Sequence, residues 1–158
     1  MQAQSDYAVV RLRRHDDRIL DSLKELHQAL RAYHSAEPQT EQFAEFVAKR
    51  LADEDMLLVF SLAGDTPVGY GMAFDVSKHP FMPDWQRAGY ITQLFVAPEH
   101  RQRGVGRLLL NTIVQWLTSR GVTHVLLNVS VGNEVGDRFW RANGFAPYQI
   151  RMKRTTEP

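Results

Sequence analysis

Between Arg101 and Arg107 the chain reads RQRGVGR, three arginines interleaved with two glycines. Downstream, apolar residues recur at Leu108, Leu109, Ile113, Trp116 and Leu117, which is helical spacing. Gly104-Val105-Gly106 therefore stands at a helix start. The first N–H groups of a helix lack intrahelical partners, and that end carries a positive partial charge. Glycines there let a large anion approach the backbone, and Arg101, Arg103 and Arg107 add cationic forks around it. Arginines alone would oppose the helix dipole, so an anion between them relieves the conflict. The chemistry these residues suit is the holding of phosphate. A plain glycine turn beside a solvated basic face is the competing reading.

Several phosphate ligands are excluded by spacing. A dinucleotide fingerprint needs a third glycine where Leu109 stands. A nucleotide P-loop needs Gly-Lys-Ser/Thr, which is absent. The pattern Arg101-x-x-Gly104-x-Gly106, preceded by Val96-x-Pro98-x-x-Arg101, instead resembles the acyl-CoA signature Q/R-x-x-G-x-G/A of the GCN5-related N-acetyltransferase (GNAT) family.

The elements that must position this turn follow from periodicity. Ile91, Leu94, Phe95 and Val96 suit a strand covered on both faces, ending near Pro98. Tyr7 to Arg13 reads as a short strand suited to a sheet edge, its alternation broken at Val9-Val10. Asp16 and Asp17 suit a helix start, and an apolar stripe then runs from Ile19 to Tyr33. Thr40 is expected to cap a second helix that buries Phe43, Phe46, Val47 and Leu51. Met56 to Ala63 is a buried strand, Gly64 to Pro67 a turn, and Val68 to Phe74 the returning strand. Its small face, Gly69, Gly71 and Ala73, leaves room for a closely packed helix or for a ligand. Asp75 to Ala88 is a loop carrying His79, Phe81 and Trp85, residues suited to an acceptor or to anchoring the loop. Gly121 ends the long helix, and His124 to Val129 is a further strand. Asn133 to Asn143 is a short helix, Ala146 to Met152 a last strand, and residues 154–158 a frayed tail.

This element order is also that of the GNAT family, and Asn133…Phe139-Trp140…Gly144-Phe145 resembles its C-terminal signature N-x-x-A-x-x-x-Y-x-x-x-G-F. The resemblance implies one domain over residues 1–158, of α/β (α+β) class. Its central sheet would be mixed and mostly antiparallel, with helices on both faces and a splayed central strand pair. It implies acetyl-CoA as co-substrate and transfer of the acetyl group to a primary amine by direct attack, through a tetrahedral intermediate. Backbone N–H groups from Gln102 through Gly104, Val105 and Gly106 to Arg107 would hold the pyrophosphate, with Arg101 and Arg103 adding charge. Phe95 and Val96 would pair with the pantetheine arm, and a backbone N–H near Leu94 or Phe95 would meet the carbonyl oxygen. Asn133 would bond the cofactor arm and Phe139 pack beside it; an ordinary N-cap and core packing are the other readings of these two.

The chain departs from the family at the proton-transfer positions. Trp140 stands where a tyrosine often protonates the leaving thiolate, and indole is a donor only, not an acid of that kind. Thr92 and Gln93 occupy the positions of a glutamate base, and neither is a base at neutral pH. Glu99 and His100, just past the strand, are the titratable residues left as candidates. Tyr33, His34 and Trp85 are candidates for the acceptor pocket wall. A catalytically reduced acyl-CoA-binding sensor or scaffold, and an acyltransferase with a different acyl group or acceptor, are the alternative functions.

Composition bounds the class. A chain of 158 residues with 44% hydrophobic content can bury a real core. A net charge of +1 implies no general nucleic-acid affinity. No apolar run suits a bilayer and the N-terminus lacks a signal-peptide core, so neither membrane nor nucleic acid is expected as a partner. Cysteine is absent, which removes disulfides, thiolate metal sites and a cysteine acyl-enzyme route. No metal is expected, and a cytoplasmic location fits. The expected partner is a small-molecule or peptide amine; homodimerisation, common in the family, stays open.

Overall fold

The computed structural model describes residues 6–34, 36, 39–79 and 87–156. The elements run β1 (Tyr7–Arg11), α1 (Asp17–Tyr33), α2 (Thr40–Arg50), β2 (Met56–Ala63), β3 (Thr66–Asp75), β4 (Ala88–Val96), a 3-10 turn (Pro98–His100), α3 (Val105–Ser119), β5 (His124–Leu126) and α4 (Glu134–Ala142). Contacts divide the chain into two compact units, Met1–Leu127 and Asn128–Pro158. The strands lie in the order β1-β2-β3-β4-β5, antiparallel except for the parallel pair β4–β5. The expected mixed, mostly antiparallel sheet is therefore present.

Helix α1 starts where its sequence says it should. The Asp16 carboxylate accepts from the N–H groups of Arg18 and Ile19 at 3.1 and 3.2 Å, an N-cap. Thr40 does not cap α2 as expected. Gln39 holds the cap position without a side-chain bond. The Thr40 hydroxyl is turned instead to His27 Nδ1, 3.4 Å away. His27 is buried on α1 and stacks on Phe43 of α2, with ring centroids 4.0 Å apart. Burial, and then the nearby Arg31 charge, lower the His27 pKa from its ordinary value. Neutral His27 thus stabilises the α1–α2 contact fully above the unfolded pKa of about 6.5. That contribution is lost as pH falls below 6.5 towards the folded value. Between pH 7.5 and 5.5 the melting temperature of the wild type is expected to fall further than that of His27→Phe. Equal falls would show that His27 carries no such linkage.

The sheet has two covered faces. Leu20, Leu23 and Leu26 of α1 and Val47 of α2 pack with Met56, Leu58, Phe60, Tyr70, Met72 and Phe95 in one core. Strand alternation sends Gly69 and Gly71 to the other face, under α3. A Cβ at Gly69 would lie 2.8 Å from the Phe95 carbonyl oxygen, and one at Gly71 would lie 2.7 Å from Cδ1 of Ile113. The small face of β3 therefore serves close helix packing. Gly69→Ala should cost about 1–3 kcal/mol, read as a lower urea midpoint, because a backbone oxygen cannot swing aside as a side-chain tip can. An unchanged midpoint would mean that β4 shifts freely.

Two irregularities in β4 shape its open edge. Met72 faces Gln93 and Ala73 faces Ile91, so Thr92 is an extra residue, a bulge, and its hydroxyl donates to the Met72 carbonyl at 3.2 Å. The bulge resets the pleat. Gly89 lies against Leu117 on the α3 side, whereas Gln93 and Phe95 face Met72 and Tyr70 on the side of α1 and α2. Secondly, β4 pairs with β5 only over Ala88–Tyr90 against His124–Leu126. The strand expected to reach Val129 ends at Leu126, where its ladder with β4 stops. So short a pairing is in keeping with the expected splay.

In the second unit, Asn133 caps α4, its Oδ1 accepting from the Gly136 N–H at 3.0 Å. Trp140 meets Phe139 and Phe145 edge-on, with centroids 5.0 and 5.2 Å apart. The strand expected over Ala146–Met152 does not form. Pro147 offers no N–H to a ladder, and Tyr148, Ile150 and Met152 are exposed. Among the described residues no helix is long and apolar enough to cross a membrane.

Candidate functional site

Strand β4 ends at Val96, and the chain turns through Ala97 and the 3-10 turn to Arg101. Gln102 then has φ 58° and Gly104 φ 82°. For glutamine this is the left-handed region, which costs energy that the turn must repay. Such alternation of hand aims successive N–H groups into one concavity suited to an anion. Gly104 is the N-cap of α3 and has no side chain with which to cap it. Among the described residues no hydrogen bond occupies the N–H groups from Gln102 to Arg107; the first bonded one is Leu108, to the Gly104 carbonyl at 3.0 Å. Open donors, a helix N-terminus and a positive-φ turn fit a phosphate ester of the kind that CoA carries.

Arg103 and Arg107 are exposed at this turn. With Tyr7, Gly104, Val105, Leu108 and Asn111 they line a cleft of about 240 Å³. Sequence reasoning missed Tyr7 and Asn111. Asn111 stands one helical turn after Arg107, a signal that was available. Tyr7 comes from a distant strand and carries no local signal.

Arg101 is placed differently from the other two arginines. Its Nε donates to the Val96 carbonyl at 2.9 Å. Its guanidinium lies over the rings of Tyr33 and Phe95, 5.2 and 5.5 Å from their centroids. Tyr33, at the end of α1, is thereby brought to the turn, with His34 edge-on to it at 5.1 Å. Trp85 lies outside the described residues.

The two proton-transfer candidates are separated by their partners. His100 Nδ1 is 3.0 Å from the Tyr7 hydroxyl, and the two rings meet edge-on, so this histidine ties β1 to the turn. Glu99 is exposed in the 3-10 turn. Leu94, Phe95 and Val96 lie past Tyr90, the last β4 residue paired with β5, so that edge of β4 has no strand partner within Met1–Leu127. Gln93 accepts a bond from the buried Tyr70 hydroxyl at 2.6 Å. Sequence reasoning treated Gln93 only as a missing base. Asn133 and Phe139 belong to the second unit, where Asn133 is the cap of α4 and the Phe139 carbonyl accepts from Asn143 Nδ2 at 2.7 Å. No group of three or more His, Asp or Glu side chains gathers among the described residues to hold a metal ion.

The model of the acetyltransferase (GNAT) family matches residues 22–145. No curated protein sequence matches the chain. An aminoglycoside N-acetyltransferase solved in complex with CoA superposes with a TM-score of 0.79 at 17% identity, covering 100% of this chain and 99% of that one. An aminoglycoside acetyltransferase from an uncultured soil metagenomic sample, in complex with trehalose, gives 0.76 at 18% identity, covering 99% and 100%. A GCN5-related N-acetyltransferase from Ralstonia eutropha gives 0.75 at 21% identity, covering 94% and 98%. At these identities the structures speak for the fold.

Proposed function

This chain belongs to the GNAT acetyltransferase family, and from that premise we propose that it transfers an acetyl group from acetyl-CoA to a primary amine. The observation that carries the reading is the row of open N–H groups from Gln102 to Arg107, flanked by Arg103 and Arg107. They would hold the pyrophosphate without a metal ion. The open edge of β4 would receive the pantetheine arm on backbone groups of Phe95 and Val96, as an added strand. An N–H of Leu94 or Phe95 would then face the thioester oxygen as it becomes negative.

The amine attacks the carbonyl carbon directly, the C–N bond forms, and the C–S bond breaks as the thiolate leaves. The amine must shed a proton. We retain Glu99 and His100 as the candidate acceptors; His100 keeps its Nε2, since Nδ1 is engaged by Tyr7. Trp140 supplies no acid, so the thiolate leaves unaided or takes its proton from water. Thiols titrate near about 8.5, which makes the unaided route workable at neutral pH.

Thiol release from acetyl-CoA, followed with a panel of primary amines, tests the reading. Amine-dependent release supports it. Tight acetyl-CoA binding with no release on any amine would favour an acyl-CoA sensor, the reading to which Trp140 in the family's tyrosine position points.

A further inference from the structure

We propose that the acceptor is an amine that also carries a carboxylate, such as an α-amino acid, and that Gln93 and Arg101 read that carboxylate. The proposal rests on the acetyltransferase reading above and names the substrate class of the same site.

Tyr70 is fully buried, with Phe43 and Phe60 within 6.4 Å, ring centre to ring centre. A hydroxyl in such surroundings must find an acceptor for its proton, and it donates to Gln93 Oε1 at 2.6 Å. Burial also raises the Tyr70 pKa, so the phenol remains a donor at any working pH. Turning the Gln93 amide over would leave the phenol proton without an acceptor in an apolar core. The amide is thus held with its oxygen inward. Nε2 keeps two N–H donors, neither of them bonded among the described residues.

The bulge at Thr92 places Gln93 on the face of the sheet that carries α1 and α2, two residues from Phe95 on that face. Two residues of strand span about 7 Å. Over the Phe95 ring lies the Arg101 guanidinium, with Tyr33 also against it. Its Nε is spent on Val96, and its terminal nitrogens remain as a fork. Aromatic faces hold that fork in orientation, and a carboxylate can take it bidentately. The end of β4 and the turn after it therefore present an amide and a guanidinium, both donors. Both can donate to a carboxylate, and the charged guanidinium repels a second ammonium.

An acceptor of this kind has the opposite charge character to a polycationic aminoglycoside. The test compares thiol release with phenylalanine, phenylalaninamide, spermidine and kanamycin. The amide has the less basic amine, so it is intrinsically the better nucleophile at neutral pH. A preference for the acid can come only from recognition of its carboxylate. Wild type should show kcat/KM at least tenfold higher for phenylalanine than for its amide, spermidine or kanamycin. Gln93→Leu should raise KM for phenylalanine about tenfold while KM for acetyl-CoA holds, which also reports that the variant is folded. Gln93→Glu should turn the preference towards the amide and the polyamines. Release that favours the amide, spermidine or kanamycin in the wild type would overturn the inference and leave the acetyltransferase intact. Release with none of the four would overturn the inference, while acetyl-CoA binding and the wider amine panel decide the fate of the enzyme reading separately.

Discussion

Gly106→Val is expected to weaken acetyl-CoA binding by about 10- to 100-fold, the worth of one charge-assisted hydrogen bond. The branched side chain would stand over the open N–H groups of Gln102 to Arg107 and keep a phosphate from closing on them. Stability should hardly change. Gly106 is in the first turn of α3 and has no left-handed backbone that would require glycine. Valine is no worse than glycine in a helix. Calorimetric affinity and the melting temperature, taken together, separate the two effects. Normal affinity in a folded variant would mean that the glycines serve the turn alone.

Arg103→Glu should reduce acetyl-CoA affinity about tenfold, because a repulsion replaces one charge-assisted hydrogen bond to phosphate. It should also make the decline of affinity with added salt shallower than in the wild type, since one screened attraction has gone. Arg103 is exposed and lines the cleft beside Arg107, with no ion pair among the described residues, so the fold should not register the change. Affinity equal to the wild type would remove Arg103 from the site.

Much of the frame was legible because local signals agreed. Asp16 before an apolar stripe marked the start of α1, and Ile91 to Leu110 announced strand, turn and helix in their true order. Thr40 misled because a threonine before an apolar run reads as a cap; its hydroxyl instead lies beside His27, a residue thirteen positions away. Ala146 to Met152 has a strand's residues and lacks a ladder, and propensity cannot supply a partner.

The glycine turn between β4 and α3 was legible for a related reason: glycines, arginines and helix start are contiguous. The placement of Gln93 was not. Without the bulge at Thr92, alternation from Gly89 and Ile91 would send Gln93 beneath α3. Only the three-dimensional register shows it beside Tyr70, bonded and aimed at the opposite face. Arg101 shows the same limit. Its sequence neighbours suggest a third phosphate ligand; they do not show that its guanidinium lies over the Tyr33 and Phe95 rings.

The most direct test of the central claim is calorimetric titration of the purified chain with acetyl-CoA and with CoA, at low and at high salt. Saturable binding of both, weakening as salt rises, is expected of a site built from open N–H groups and two exposed arginines. Absence of binding at low salt would contradict the reading of Gln102 to Arg107 on which the proposed chemistry depends.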